Sequence, residues 1–215
     1  MDNLYTHQII PGILEKGWVE IEKKVELIKT FSKKIHIDVI DGKFAPNQTF
    51  LDPAPFLKYA NELYLEAHLM VEEPISYLDS FAKAGFRKFI GHIEKMTSQE
   101  EFVAKGELLG EVGLGLDLDT PVESITSSFE DLDSVLLMAV KAGESGQTFD
   151  PKVLEKIKNL RSKTFIPIEV DGGINDQTIV GCKDAGANIF VSTSYITGSE
   201  KPLDQYEKLQ KLLQT

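Results

Sequence analysis

The chain has 215 residues, of which 42% are hydrophobic and 27% charged, a balance that supports a folded core and excludes a disordered chain. Lys and Arg number 23 against 34 Asp and Glu, a net charge of -11, which disfavours nucleic acid and anionic membranes as partners. No apolar run reaches the ~18–20 residues of a membrane span, the start Met1-Asp2-Asn3-Leu4-Tyr5 does not read as a signal peptide, and the lone Cys182 permits no internal disulfide; the expectation is a cytoplasmic protein with one domain over residues 1–215.

Short apolar runs alternate with amphipathic stretches along the whole sequence. They predict strands over residues 8–14, 34–40, 63–68, 88–92, 111–117, 134–139, 166–170 and 189–192. Between them, residues 17–30 place Trp18, Ile21, Val25 and Ile28 on one helical face, and residues 151–160 do the same with Val153, Leu154, Ile157 and Leu160. Asp150-Pro151 and Thr120-Pro121 each read as a cap followed by Pro at the first helical position. Gly85 and Gly186 are placed to end helices in the left-handed conformation.

Strict strand-helix alternation predicts parallel strands, and eight such units favour a closed (β/α)8 TIM barrel over an open doubly wound sheet. Pro11-Gly12-Ile13-Leu14 does not fit a dinucleotide fingerprint, and no phosphate-binding G-x-x-x-x-G-K-[ST] loop is present.

In a barrel the chemistry sits at the C-terminal strand ends. Alternation along Ile35-His36-Ile37-Asp38-Val39-Ile40 puts His36 and Asp38 on one face and Ile37 and Val39 on the other. If the aliphatic pair faces the helices, His36 and Asp38 point inward, to be satisfied either by a metal or by hydrogen-bonded neighbours. His68 ends the third strand and Asp171 follows the seventh. The four together make a two-His, two-carboxylate set suited to a first-row divalent metal.

Gly172 and Gly173 would let backbone approach a ligand, and Ile174-Asn175 is expected to open a helix. The loop Ser192-Thr193-Ser194-Tyr195 reads as an anion site or as a tight turn with a hydroxyl cap. Residues 141–148 read as a lid or an ordinary connection, and His92 and Glu94 as site-lining or solvated loop residues. Cys182 is expected to pack rather than react.

Four motifs then carry a family resemblance. They are His36-Ile37-Asp38-Val39-Ile40-Asp41-Gly42-Lys43-Phe44-Ala45-Pro46-Asn47; His68-Leu69-Met70-Val71 followed by Pro74; Leu137-Met138 through Gln147; and Glu169-Val170-Asp171-Gly172-Gly173-Ile174. In this order, on strands two, three, six and seven, they resemble the ribulose-phosphate 3-epimerase family over nearly the whole chain. The resemblance implies a (β/α)8 barrel that epimerises D-ribulose 5-phosphate to D-xylulose 5-phosphate at C3, in the pentose phosphate pathway. It implies one divalent ion (Zn, Fe, Mn or Co) on His36, Asp38, His68 and Asp171, with Asp38 and Asp171 also the acid/base pair. By the same resemblance, Met70 and Met138 line the site, and His68, Gly146, Gly172, Gly173 and Ser194 bind the sugar phosphate. Family members are often homo-oligomers.

The sequence departs from the family pattern at Gly12, where the family has the Ser of Pro-Ser-Ile-Leu, and at Thr193, where it has the Gly of Gly-Ser. Ile40 replaces a Met, and Lys141, Ala142, Glu144 and Ser145 replace four residues of Glu-Pro-Gly-Phe-Gly-Gly-Gln. The alternatives are a 3-epimerase of a six-carbon ketose phosphate and a catalytically silent sugar-phosphate-binding barrel. Asp38-Val39-Ile40 lacks the Lys of the related Asp-x-Lys decarboxylases.

Overall fold

The computed structural model describes residues 6–143 and 147–214. Eight strands pair in chain order, and the last closes on the first. They are β1 (Gln8–Ile13), β2 (Lys34–Ile40), β3 (Tyr64–Met70), β4 (Phe86–His92), β5 (Glu111–Leu116), β6 (Ser134–Met138), β7 (Ile168–Asp171) and β8 (Ile189–Ser192). Every pairing is parallel, as the expected (β/α)8 barrel requires.

The main core lies between the barrel and its outer helices. Ile35, Ile37 and Val39 of β2, Leu65, Ala67 and Leu69 of β3, and Val135 and Leu137 of β6 belong to it. Burying each larger side chain of this kind is worth ~1.5–3 kcal/mol, which fixes the face of every strand. With the aliphatic residues turned out to the helices, their neighbours must turn in.

The helices are α1 (Trp18–Ile28), α2 (Leu78–Lys83), α3 (Gln99–Glu107), α4 (Lys152–Lys163), α5 (Ile179–Ala185), α6 (Ser194–Thr197) and α7 (Pro202–Gln214). The expected faces of α1 and α4 bury Ile21, Val25 and Ile28, and Val153, Ile157 and Leu160. α4 begins one residue later than expected, with Pro151 at the cap position, and Asp150 Oδ1 accepts from the Lys152 N–H at 2.9 Å. No helix among the described residues is long and apolar enough to cross a membrane.

Helical alternation fails in two crossovers. Between β2 and β3 the chain makes only a 3-10 turn, Ala54–Tyr59. Between β5 and β6 it makes two, Val122–Ser124 and Phe129–Asp131. Pro121 is extended, so Thr120-Pro121 begins a bend and not the expected helix. There Gln99 Oε1 accepts from the Thr126 N–H at 2.8 Å and Ser128 Oγ from the Glu130 N–H at 3.2 Å; side chains take donors that a helix would have used.

Other boundaries shift too. β3 extends through Met70, and β7 starts after Pro167, which has no N–H for the ladder. Ile174-Asn175 opens a turn and not a helix: Asn175 Oδ1 accepts from the Gln177 N–H at 2.9 Å, and α5 begins at Ile179. Cys182 is buried in α5, where burial pushes its thiol up to about 12, consistent with packing and not reactivity.

Candidate active site

Strand register stacks the inward side chains in two tiers. β2 and β3 pair His36 with Glu66 and Asp38 with His68, and β3 and β4 pair Glu66 with Lys88. β6 and β7 pair Leu136 with Glu169 and Met138 with Asp171. The lower tier therefore holds His36, Glu66, Lys88 and Glu169. The upper tier, at the strand ends, holds Asp38, His68 and Asp171.

All four expected ligands meet: one ligand atom from each of His36, Asp38, His68 and Asp171 lies within 4.8 Å of the others, and all four residues are buried. Asp38, Met70, Met138, Asp171, Gly172, Gly173, Thr193 and Ser194 line one cleft above them. Gly146, and the loop departures Glu144 and Ser145, lie outside the described residues. Gly172 and Gly173 have φ of 106° and 67°. A Cβ on them would come within 2.6 Å of Val140 and 2.9 Å of Phe149, so the turn itself demands glycine whatever binds beside it.

The tautomers follow from the acceptors. His36 Nδ1 lies 2.5 Å from Glu66 Oε1 and 3.4 Å from Glu169 Oε1. Its Nδ1–H is held by these carboxylates. Nε2, turned to the cluster, makes no hydrogen bond, although Asp38 Oδ1 is 3.3 Å away. On the other side, His92 Nδ1–H donates to Glu94 Oε2 at 3.0 Å. His92 Nε2 then accepts from His68 Nε2–H across 2.9 Å. With a cation bound, that tautomer leaves the His68 Nδ1 lone pair facing Asp38 Oδ1 at 2.9 Å and Asp171 Oδ2 at 3.6 Å; in the metal-free protein the 2.9 Å contact between His68 Nδ1 and Asp38 Oδ1 is a hydrogen bond. Two imidazole nitrogens and two carboxylates aimed at one buried point fit a divalent cation, which supplies the charge this arrangement lacks.

The metal-free tiers are balanced by protons. Burial disfavours charge on His36, but the neighbouring carboxyl groups of Asp38, Glu169 and Glu66 hold it well above the ordinary imidazole range. Burial also opposes charge on Asp38, yet His36 and His68 bring it down to about 2. Burial lowers His68 to about 4 against the pull of Asp38. Burial and the neighbouring Asp38 charge push Asp171 up to about 8.

Below, Lys88 Nζ lies 2.7 Å from Glu66 Oε2 and 2.5 Å from Glu169 Oε2. Lys88 is raised because the two glutamates outweigh its burial. Against its own burial, Glu66 is held well below the usual range by Lys88 and His36, while burial and the Glu66 charge raise Glu169. At neutral pH, positive Lys88 and His36 offset negative Glu66 and Asp38, and Asp171 keeps its proton.

Sequence reading did not single out Glu66, Lys88 and Glu169. Their strand parity carried the signal, since Glu66 and Glu169 stand two residues before His68 and Asp171, and Lys88 four before His92. His92 is buried in the hydrogen-bonded chain and not solvated.

Fold and site define a parallel barrel with paired carboxylates at a buried centre fit for a divalent metal. The family model of the ribulose-phosphate 3-epimerases matches residues 8–197. A ribulose-phosphate 3-epimerase of Schizosaccharomyces pombe is 36% identical over 91% of this chain and 89% of its own length. One from Bacillus subtilis is 36% identical over 89% of this chain and 92% of its own. The fold is shared with the solved structure of KGPDC from Streptococcus mutans, at a TM-score of 0.72 and 10% identity over 98% of both chains. The chain belongs to the ribulose-phosphate 3-epimerase family.

Proposed function

We propose that this chain interconverts D-ribulose 5-phosphate and D-xylulose 5-phosphate by two-carboxylate proton transfer at C3. The observation that carries the reading is that Asp38 and Asp171 line the same cleft and cluster with both imidazoles. β8 and β1 stand between β2 and β7 in the barrel, so the two carboxylates enter from different sides. One, ionised, takes the proton from C3. The other, protonated, returns one to the opposite face, and the roles exchange in the reverse direction. His36, Asp38, His68 and Asp171 are the residues that would hold one divalent ion; Zn, Fe, Mn and Co all suit mixed N/O donors. When bound, it supplies Lewis-acid stabilisation of the negative charge that develops on the enediolate oxygens.

His68 orients the substrate, and Met70 and Met138 form apolar wall that keeps water from the reacting carbon. Backbone at Gly172, Gly173 and Ser194, together with Gly146, receives the phosphate. With a net charge of -11, long-range steering does not help an anionic substrate, so these local donors must supply the affinity. The single catalytic barrel, residues 1–215, works in the cytoplasm on a small molecule and not on nucleic acid. The test is to strip metal, add one divalent metal at a time, and follow conversion of D-ribulose 5-phosphate. Restored turnover, reduced at least ~100-fold in Asp38→Asn and in Asp171→Asn, is expected. No turnover with metal shown to be bound refutes the reading.

A further inference from the structure

Gly12 on β1 and Thr193 just past β8 meet where the barrel closes. A Cβ on Gly12 would lie 2.1 Å from Thr193 Oγ1, 3.2 Å from Thr193 Cβ and 3.2 Å from Val191 Cγ1. The Thr193 hydroxyl fills the volume that any side chain at residue 12 would need. The two end-strand departures from the family pattern are therefore one feature: a hydroxyl has left β1 and entered from the neighbouring loop.

The Thr193 carbonyl accepts from the Thr197 N–H and hydroxyl, each at 2.8 Å. Its own hydroxyl has no hydrogen-bond partner among the described residues. Thr193 lines the cleft with Asp38 and Asp171. Thr193 is half-buried on the cleft wall, and a hydroxyl there with no protein partner is satisfied by what fills the cleft.

We propose that Thr193 Oγ1 contacts the substrate, hydrogen-bonding a hydroxyl or phosphate oxygen of the bound ketose phosphate, and that Gly12 is side-chain-free to seat it. The proposal rests on the sugar-phosphate reading of the site. It makes the pair reciprocal: a hydroxyl fits at residue 12 or at residue 193, but not at both.

Steady-state kinetics with metal-loaded Thr193→Val, Gly12→Ser and the double variant Gly12→Ser/Thr193→Gly test it. Thr193→Val keeps the shape and removes the donor. Its KM for D-ribulose 5-phosphate rises about tenfold with kcat nearly unchanged, the signature of lost uniform binding. Gly12→Ser alone lowers kcat/KM more than tenfold by displacing Thr193, and the double variant recovers to within about threefold of the parent. An unchanged KM in Thr193→Val, or a Gly12→Ser enzyme as good as the parent, overturns the proposal. Calorimetric titration with D-ribulose 5-phosphate separates it from the epimerase reading. Binding without turnover, weakened about tenfold in Thr193→Val, supports this contact and overturns only the reaction; no binding overturns both.

Discussion

Replacing Lys88 with methionine keeps most of the side-chain volume and removes the ammonium between Glu66 and Glu169. Lys88 is 3% exposed and its partners 1% and 0%, so the ion pair is shielded from bulk solvent. At an effective dielectric of ~20, an ion pair at 2.7 Å is worth roughly 6 kcal/mol of Coulomb attraction. Burial offsets part of that, and breaking such a buried pair costs ~3–5 kcal/mol. At ~2–4 °C per kcal/mol for a chain of this length, Tm falls by roughly 6–20 °C.

The loss also depends on pH. With Lys88 gone, Glu66 relieves its stranded charge by keeping a proton. A carboxyl raised in the folded state contributes stability below its unfolded pKa and loses it as pH rises. The deficit of Lys88→Met is therefore larger at pH 8 than at pH 5. Thermal and urea unfolding of the metal-free protein at both pH values measures it, and adding Glu66→Gln restores part of the loss. A deficit under ~1 kcal/mol at pH 8 would refute the assignment of Lys88 as the counter-ion of the lower tier.

Metal affinity should fall steeply with acidity. Below about pH 8, His36 and Asp171 both hold protons in the metal-free protein. Binding a divalent ion then releases two protons, and charge stays balanced. Chelator competition should show log Kd changing by about two per pH unit near pH 6–7; a flat profile contradicts the exchange. Glu94→Gln removes the charge and leaves one amide oxygen where two carboxylate oxygens accept, from His92 and from the Asp117 N–H, so the hold on His92 and, through it, His68 weakens; metal affinity should drop ~10–100-fold. Against its burial, the bond to His92 holds Glu94 down to about 2. Its contribution to stability is present above the unfolded carboxylate pKa and lost as pH falls toward 2, so parent and Glu94→Gln unfolding curves should converge in acid.

Aliphatic alternation made the eight strands legible, because Ile35, Ile37 and Val39 leave no choice of which face meets the helices. The same alternation made His36 and Asp38 legible as an inward pair. The crossovers at 54–59 and 117–133 were less so, since prolines break the ladder there and the side chains of Asp52, Gln99 and Ser128 take backbone donors from it. Lys88, Glu66 and Glu169 escaped for a physical reason: charges in a sequence read as solvated faces unless strand parity is followed to every inward position. Gly12 and Thr193 were visible only as separate departures. Their contact depends on barrel closure between β8 and β1, which brings together residues far apart in the sequence.

The most direct measurement runs metal-restored protein on D-ribulose 5-phosphate in D2O and follows C3 by NMR. Two opposed carboxylates predict xylulose 5-phosphate carrying solvent deuterium at C3, with the early ribulose 5-phosphate pool nearly unlabelled. Asp38→Asn and Asp171→Asn should each abolish the labelled product. Product with no deuterium at C3, or full turnover in either variant, would contradict proton transfer by this pair.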